Sequence, residues 1–207
     1  MNKIFIILFF YFPWIFSQGN YGVVINVNKN VSLYKLRYTE LKLERGLRSY
    51  KIDFYKFDSD SLIQTINLND LDVVYSDYEG PGDSLLDVNF DGYKDLCIVT
   101  GIGQNGQNWA YEIFFFNPKT EKFYKDKNFP TIWNIETNDS LKEIYETVSL
   151  GCIYCWHWKT FKIKNNKLIL IKLDYQDFDS KTNKMHRFIE KYKNGKMVSR
   201  KEVKPLF

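Results

Sequence analysis

Apolar and polar residues alternate with a period of two along much of this chain, and no segment keeps an apolar stripe at i, i+3, i+4 and i+7 for long. The pattern predicts a mainly β protein. Residues 50–57 (YKIDFYKF) alternate, 62–68 form a second run, and Asp58-Ser59-Asp60-Ser61 between them is turn chemistry, giving a first hairpin. A second joins 111–116 (YEIFFF) to 122–124 across Asn117-Pro118-Lys119-Thr120, whose proline pre-sets a turn and lacks the N–H a ladder needs. A third joins 161–164 to 168–173 through Asn165-Asn166, because asparagine tolerates the positive φ of a two-residue hairpin turn. The fourth runs from 188–193 through Asn194-Gly195 to 196–203, the strongest turn signal of the four. Only 41–48 and 141–145 are predicted as short helices. Hairpins in series predict a meander of small sheets, propeller-like or otherwise closed, which would hide the strand edges. No internal sequence repeat accompanies them.

Composition changes this picture little. With 44% hydrophobic and 26% charged residues in 207, the chain can bury a core, and its 37 aromatics favour strands. The net charge of +4 is spread along the sequence, so nucleic acid is set aside as a partner. The N-terminus changes it more. Met1-Asn2-Lys3 precedes an apolar run over 4–16 and then Ser17-Gln18, the layout of a secretory signal peptide. A transmembrane helix needs about twenty apolar residues, and Pro13 interrupts this shorter run, so cleavage after Ser17 is expected and no stable membrane span is left. The expected organisation is a signal peptide over 1–17, a β domain over 18–180 and a C-terminal hairpin over 181–207, the most basic stretch, set off by the polar break 177–183. The mature chain would be periplasmic or secreted, in an oxidising compartment that contains calcium.

One motif carries metal chemistry. Residues 87–95 read D-x-N-x-D-G-x-x-D. Calcium takes six to eight oxygen ligands, and alternate residues of a tight loop can aim oxygens at one point. Asp87, Asn89 and Asp91 would supply side-chain oxygens, Tyr93 its carbonyl and Asp95 a last carboxylate, with Gly92 permitting the sharp turn. The loop is not an EF-hand, whose twelfth position is a bidentate glutamate; here that position is Ile98. The metal-free alternative is an Asx-rich turn, in which three carboxylates would repel one another without a cation.

The motif with its continuation, DVNFDGYKDLCIVT over 87–100, resembles the calcium loop of FG-GAP and integrin-α-type β-propeller repeats. Together with 62–66 (LIQTI), 111–120 (YEIFFFNPKT) and 164–171 (KNNKLILI), it resembles a bacterial periplasmic family of calcium-binding, propeller-like proteins. Some members are immunity proteins against lysozyme-like effectors of type IV secretion systems, similar in structure to periplasmic lysozyme inhibitors. The resemblance covers about residues 50–174. It implies a mainly β fold, calcium at Asp87, Asn89, Asp91, Tyr93 and Asp95, and a blocking loop inserted into a glycosidase cleft. The inhibitors' loop carries Ser-Gly-x-x-x-Tyr, whereas here Thr100-Gly101 is followed by Asn105 at the tyrosine's place, and the next tyrosine is Tyr111. The loop 101–109 (GIGQNGQNW) is nonetheless polar, glycine-rich and aromatic-tipped, which marks Gln104, Asn105, Asn108, Trp109 and Tyr111 as partner-binding candidates.

The cysteines lend themselves to several readings. Cys152-Ile153-Tyr154-Cys155-Trp156-His157 lacks the histidine spacing of haem attachment and the βαβ setting of a thioredoxin-like site. Zinc would need a fourth ligand, Cys97 or His186. A Cys152–Cys155 disulfide with Cys97 left as a buried thiol is the expected state, pairing of Cys97 with either being the alternative. On an extended strand Tyr154, Trp156 and Trp158 share a face opposite Cys155, His157 and Lys159. Core packing is expected of them; stacking on sugars or on a protein partner is the alternative. Lys142, Glu143 and Glu146 read as a solvated face. No nucleophile and base stand out, so the chain is expected not to be an enzyme. It is expected to bind another protein, with a lysozyme-like glycosidase as the sharpest version, the alternative being an adhesion-like or carbohydrate-binding module.

Overall fold

The computed structural model describes residues 20–28, 31, 33–44, 47–71, 84–103, 106–152 and 154–206. The predicted signal peptide, Gln104 and Asn105 lie outside the described residues. Three antiparallel sheets follow one another in sequence. The first is β1 (Asn20–Ile25), β2 (Tyr34–Glu44), β3 (Leu47–Lys56) and β4 (Leu62–Leu71). The second orders β5 (Ser84–Leu86), β6 (Asp95–Ile102), β7 (Trp109–Asn117) and β8 (Lys122–Lys125), with β9 (Ile132–Trp133) also pairing to β7. The third is β10 (Glu136–Asn138), β11 (Glu143–Ser149), β12 (Trp156–Lys164), β13 (Lys167–Asp179), β14 (Lys184–Lys193) and β15 (Lys196–Val203). Among the described residues each is an open meander, and none closes into a barrel.

All four predicted hairpins form, and their turns use the anticipated backbone. Asn165 and Asn166 have φ of 50° and 54°, and Asn194 and Gly195 have 52° and 75°, so both two-residue turns place both residues in the left-handed region. The two predicted helices do not form. The segment 41–48 crosses from β2 into β3, where Leu43 pairs with Arg48 and Glu44 with Leu47, and its Leu-Lys-Leu-Glu alternation serves a strand. In 141–145 the backbone turns left-handed at Lys142 (φ 52°), then enters β11 with Ile144 buried opposite Phe161.

The second sheet lies between the other two. Leu96, Ile98, Phe114, Phe116 and Phe123 pack with Tyr34, Leu36, Ile52 and Phe54 of the first sheet. The opposite side chains, Cys97, Ile113 and Phe115, pack with Phe129, Ile132, Ile135 and Ile144, and Phe161 and Leu168 of the third sheet lie against them. That double burial explains why β6 and β7 carry unbroken apolar runs: a strand covered on both faces gains from an apolar residue at every position. β14 and β15 continue the third sheet in register, Phe188 opposite Tyr175 and Glu202 opposite Phe188. Among the described residues no helix is long and apolar enough to cross a membrane.

Candidate metal loop and recognition surface

The loop between β5 and β6 turns sharply because Phe90 (φ 59°) and Gly92 (φ 90°) are left-handed. Its acidic and amide oxygens face inward onto backbone N–H groups. Asp87 accepts from Asp91 N (3.0 Å) and Gly92 N (2.8 Å), Asn89 from Asp91 N (3.1 Å), and Asp91 from Tyr93 N (2.9 Å). An ionised carboxylate has about four lone-pair sites, so these bonds leave acceptor capacity on Asp87 and Asp91. Burial, with the Asp91 charge adding to it, holds the Asp87 carboxyl above its ordinary range. Asp95 sits beneath the turn with 0% exposure, accepting from Phe116 N and Val88 N at 2.9 Å each, and burial pushes its carboxyl to about 7. Asp95 thus ties the loop to β7. Among the described residues no three acidic, histidine or cysteine side chains are disposed to hold a metal. The turn gathers Asp87, Asn89 and Asp91 around its own backbone N–H groups, and carboxylate and amide oxygens are hard donors. Sequence reasoning passed over Asn28, whose side-chain amide donates to the Gly92 carbonyl, while Lys94 N donates to Val27 O at 2.9 Å; no local motif marks a contact 64 residues away.

At the other end of β6 and β7 lies a polar clasp. Asn108 is buried, exchanging two 2.8 Å bonds with the backbone of Ser149 in β11. Asn134, left-handed at φ 45°, accepts from Trp109 N (2.8 Å) and donates to Thr147 O (2.8 Å) and Gln107 O (3.1 Å). Gly103 donates to Asn108 O at 2.7 Å, and a Cβ added at Gly103 would lie 3.0 Å from the Asn108 Cβ, a tight contact that a larger residue would make only by shifting Asn108 a few tenths of an ångström. Asn108 therefore fastens the base of the 101–109 loop, while Trp109 and Tyr111 are half-buried beside it. Asn134 carried no sequence signal, being a lone asparagine between two very short strands.

Cys152 and Cys155 form a disulfide with Cα atoms 5.1 Å apart, and Cys97 is buried in the core behind β6. The zinc arrangement is absent among the described residues. The expected core packing of the aromatic row is overturned: Tyr154 is 47% and Trp158 44% exposed. Their side of the third sheet faces away from the second sheet, and no described strand covers it. Arg187 lies over the Trp156 ring at 5.5 Å, and Tyr145 meets Trp158 edge-on at 6.1 Å. Glu146 is also not solvated; it is buried on the opposite side and ion-paired to Lys159.

No protein-family model matches the chain, and no curated protein matches it in sequence. Its fold is similar to a solved structure described as a Xanthomonas Type IV Secretion System related protein, with a TM-score of 0.54 and 17% identity over 88% of this chain and 98% of that one.

Proposed function

We propose that this chain is an exported, calcium-stabilised β protein that acts by binding another protein, without turnover, and that its target is a lysozyme-like cell-wall glycosidase. The observation that carries this reading is the clasp at the base of the 101–109 loop. Asn108 and Asn134 tie the C-terminal end of that loop to β11, and Gly103 N closes its first end onto the Asn108 carbonyl, so the base of a polar, glycine-rich segment is fixed beside Trp109 and Tyr111. A recognition loop held this way loses little freedom on docking, and its flanking aromatics can act as anchors. The fold likeness to a protein described as related to type IV secretion agrees with the family that the sequence resembles. The Cys152–Cys155 bridge and the basic, then apolar, N-terminal stretch support export. Asp87, Asn89, Asp91, the Tyr93 carbonyl and Asp95 would hold calcium, which would neutralise the loop's carboxylates.

The test is affinity capture with residues 18–207 from extracts containing lysozymes and other peptidoglycan hydrolases, in calcium and again with chelator. A glycosidase retained in calcium, released by chelator and weakened by about tenfold or more in Trp109→Ala is the expected result. Absence of any retained hydrolase under both conditions overturns the reading.

A further inference from the structure

On the side of the third sheet that faces away from the second, Leu206 and the Tyr154 turn cover Gln176, but among the described residues the area around Trp158 is open, and it is built unlike a protein-docking patch. Trp158 stands open on it, and the strand register surrounds its indole with hydrogen-bonding neighbours rather than aliphatic ones. Thr147 and Asp174 lie directly opposite on β11 and β13, and Thr160 is two positions along the same strand. Tyr145 meets the indole edge-on, so a second ring stands as a wall beside it on the neighbouring strand. Thr160 and Asp174 are buried, so an open ring here can stack on the C–H face of a sugar while the half-buried Thr147 takes up a sugar hydroxyl.

The charges on this side are mainly cationic over β13 to β15, while Glu143 and Glu136 lie beside Tyr145 at its other edge. Arg187 grips Asp174 through two bonds of 3.0 and 3.1 Å, and Lys172 lies 3.3 Å from the same carboxylate. One buried acid therefore meets two cations. Lys191 pairs with Lys172 across β13 and β14, and Lys201 follows on β15 opposite Ile189, so the register adds two more cations to the same side. Both are exposed. A neutral glycan would leave this strip uncompensated, whereas a glycan bearing carboxylates would complement it.

We infer that the Trp158 side of the third sheet binds a carboxylate-bearing glycan strand, the sugar rings lying on Trp158 beside Tyr145 and the carboxylates reaching Lys172, Lys191 and Lys201. The choice of the peptide-bearing cell-wall polymer as that glycan rests on the proposed glycosidase target, which works on it; the aromatic and cationic site itself does not depend on that target. Binding the polymer would concentrate the chain where the enzyme acts, using a surface separate from the 101–109 loop.

The experiment is co-sedimentation of residues 18–207 with purified cell-wall sacculi, with neutral chitin as the uncharged comparison and poly-glutamate as a competitor. The wild-type chain is expected to sediment with sacculi and not with chitin. Trp158→Ala should reduce binding about tenfold. The double variant Lys191→Ala/Lys201→Ala should weaken it and flatten its salt dependence. Trp109→Ala should sediment normally while losing the glycosidase, so the two surfaces fail separately. All four chains are first shown to share one unfolding midpoint within error; because Trp158, Lys191 and Lys201 are exposed, truncating them leaves the core intact. Equal binding to chitin, full competition by poly-glutamate, or unchanged sedimentation of Trp158→Ala would each overturn the inference.

Discussion

Asn134 does the work of several residues at once. Its backbone is left-handed, its oxygen accepts from Trp109 N, and its amide reaches carbonyls of both the loop and β11. Asn134→Ala would strand Trp109 N and the Thr147 carbonyl and replace asparagine, which tolerates positive φ, by a residue that tolerates it less, for a loss of about 2–4 kcal/mol in urea unfolding. Asn134→Gly, which keeps the backbone but not the amide, should recover about 1 kcal/mol of it. Asp53 shows a different control. Burial acts to raise its pKa, but bonds from Thr65 (2.6 Å) and Lys51 (2.8 Å), with the Lys51 and Arg37 charges, outweigh burial and hold it below 3.8. A depressed carboxylate pKa adds stability that is complete above the unfolded value and disappears as pH falls through the folded one. Asp53→Asn should therefore lose stability at neutral pH and show a shallower decline as pH falls below about 4, measured by thermal unfolding across acid pH. At this scale the sequence was readable wherever a residue's role is local: Asn165, Asn166, Asn194 and Gly92 are turn residues by type and position. Asn134, Asn108 and, through Thr65, Asp53 draw their roles from partners 12 to 41 residues away, and no spacing rule reports those.

For strands, the readable feature was periodicity, and its failures have a common origin. The run Ile113-Phe114-Phe115-Phe116 was legible as a strand, but one covered on both sides departs from alternation, and only the assembled layers show why. Phe114 and Phe116 face the first sheet, while Phe115 meets Phe129 edge-on at 4.9 Å on the other side. Phe115→Ala should cost about 3–5 kcal/mol, read as a lowered denaturation midpoint with little change in slope. The segments predicted as helices failed for the opposite reason: 41–48 and 141–145 are short enough that a few apolar residues fit either period. Pairing with β3 and β12 decided the outcome. The aromatic strand misled as well, because the same Tyr-x-Trp-x-Trp alternation describes a core face and an open one. Which it became depended on the absence of a covering layer among the described elements.

Across the molecule, the candidate metal loop lies at the seam between the first two sheets. Asn28 reaches it from the β1–β2 connection, Lys94 N bonds Val27 O, and Tyr93 packs into the core shared by both sheets. Further along, Gln64 of β4 exchanges bonds of 2.6 and 2.8 Å with the backbone of Phe123 in β8, as a neighbouring strand would. Two attachments at separate points make relative rotation of the sheets costly, so order imposed at one should be felt at the other. The motif's residues were legible from the sequence; this location was not, because the seam is made by residues from 28 to 123. If calcium occupies the loop with a dissociation constant of about 10–100 µM, millimolar calcium adds about 1.4–2.7 kcal/mol by linkage. The melting temperature should rise accordingly, and the rise should vanish in Asp91→Ala. In Asn28→Ala the rise should persist, since the loop's own oxygens remain, but calcium should no longer slow amide exchange in β1 and β2. A calcium-dependent slowing there that survives Asn28→Ala would mean the ion's effect crosses the seam by another contact, with the Lys94–Val27 bond the next to sever.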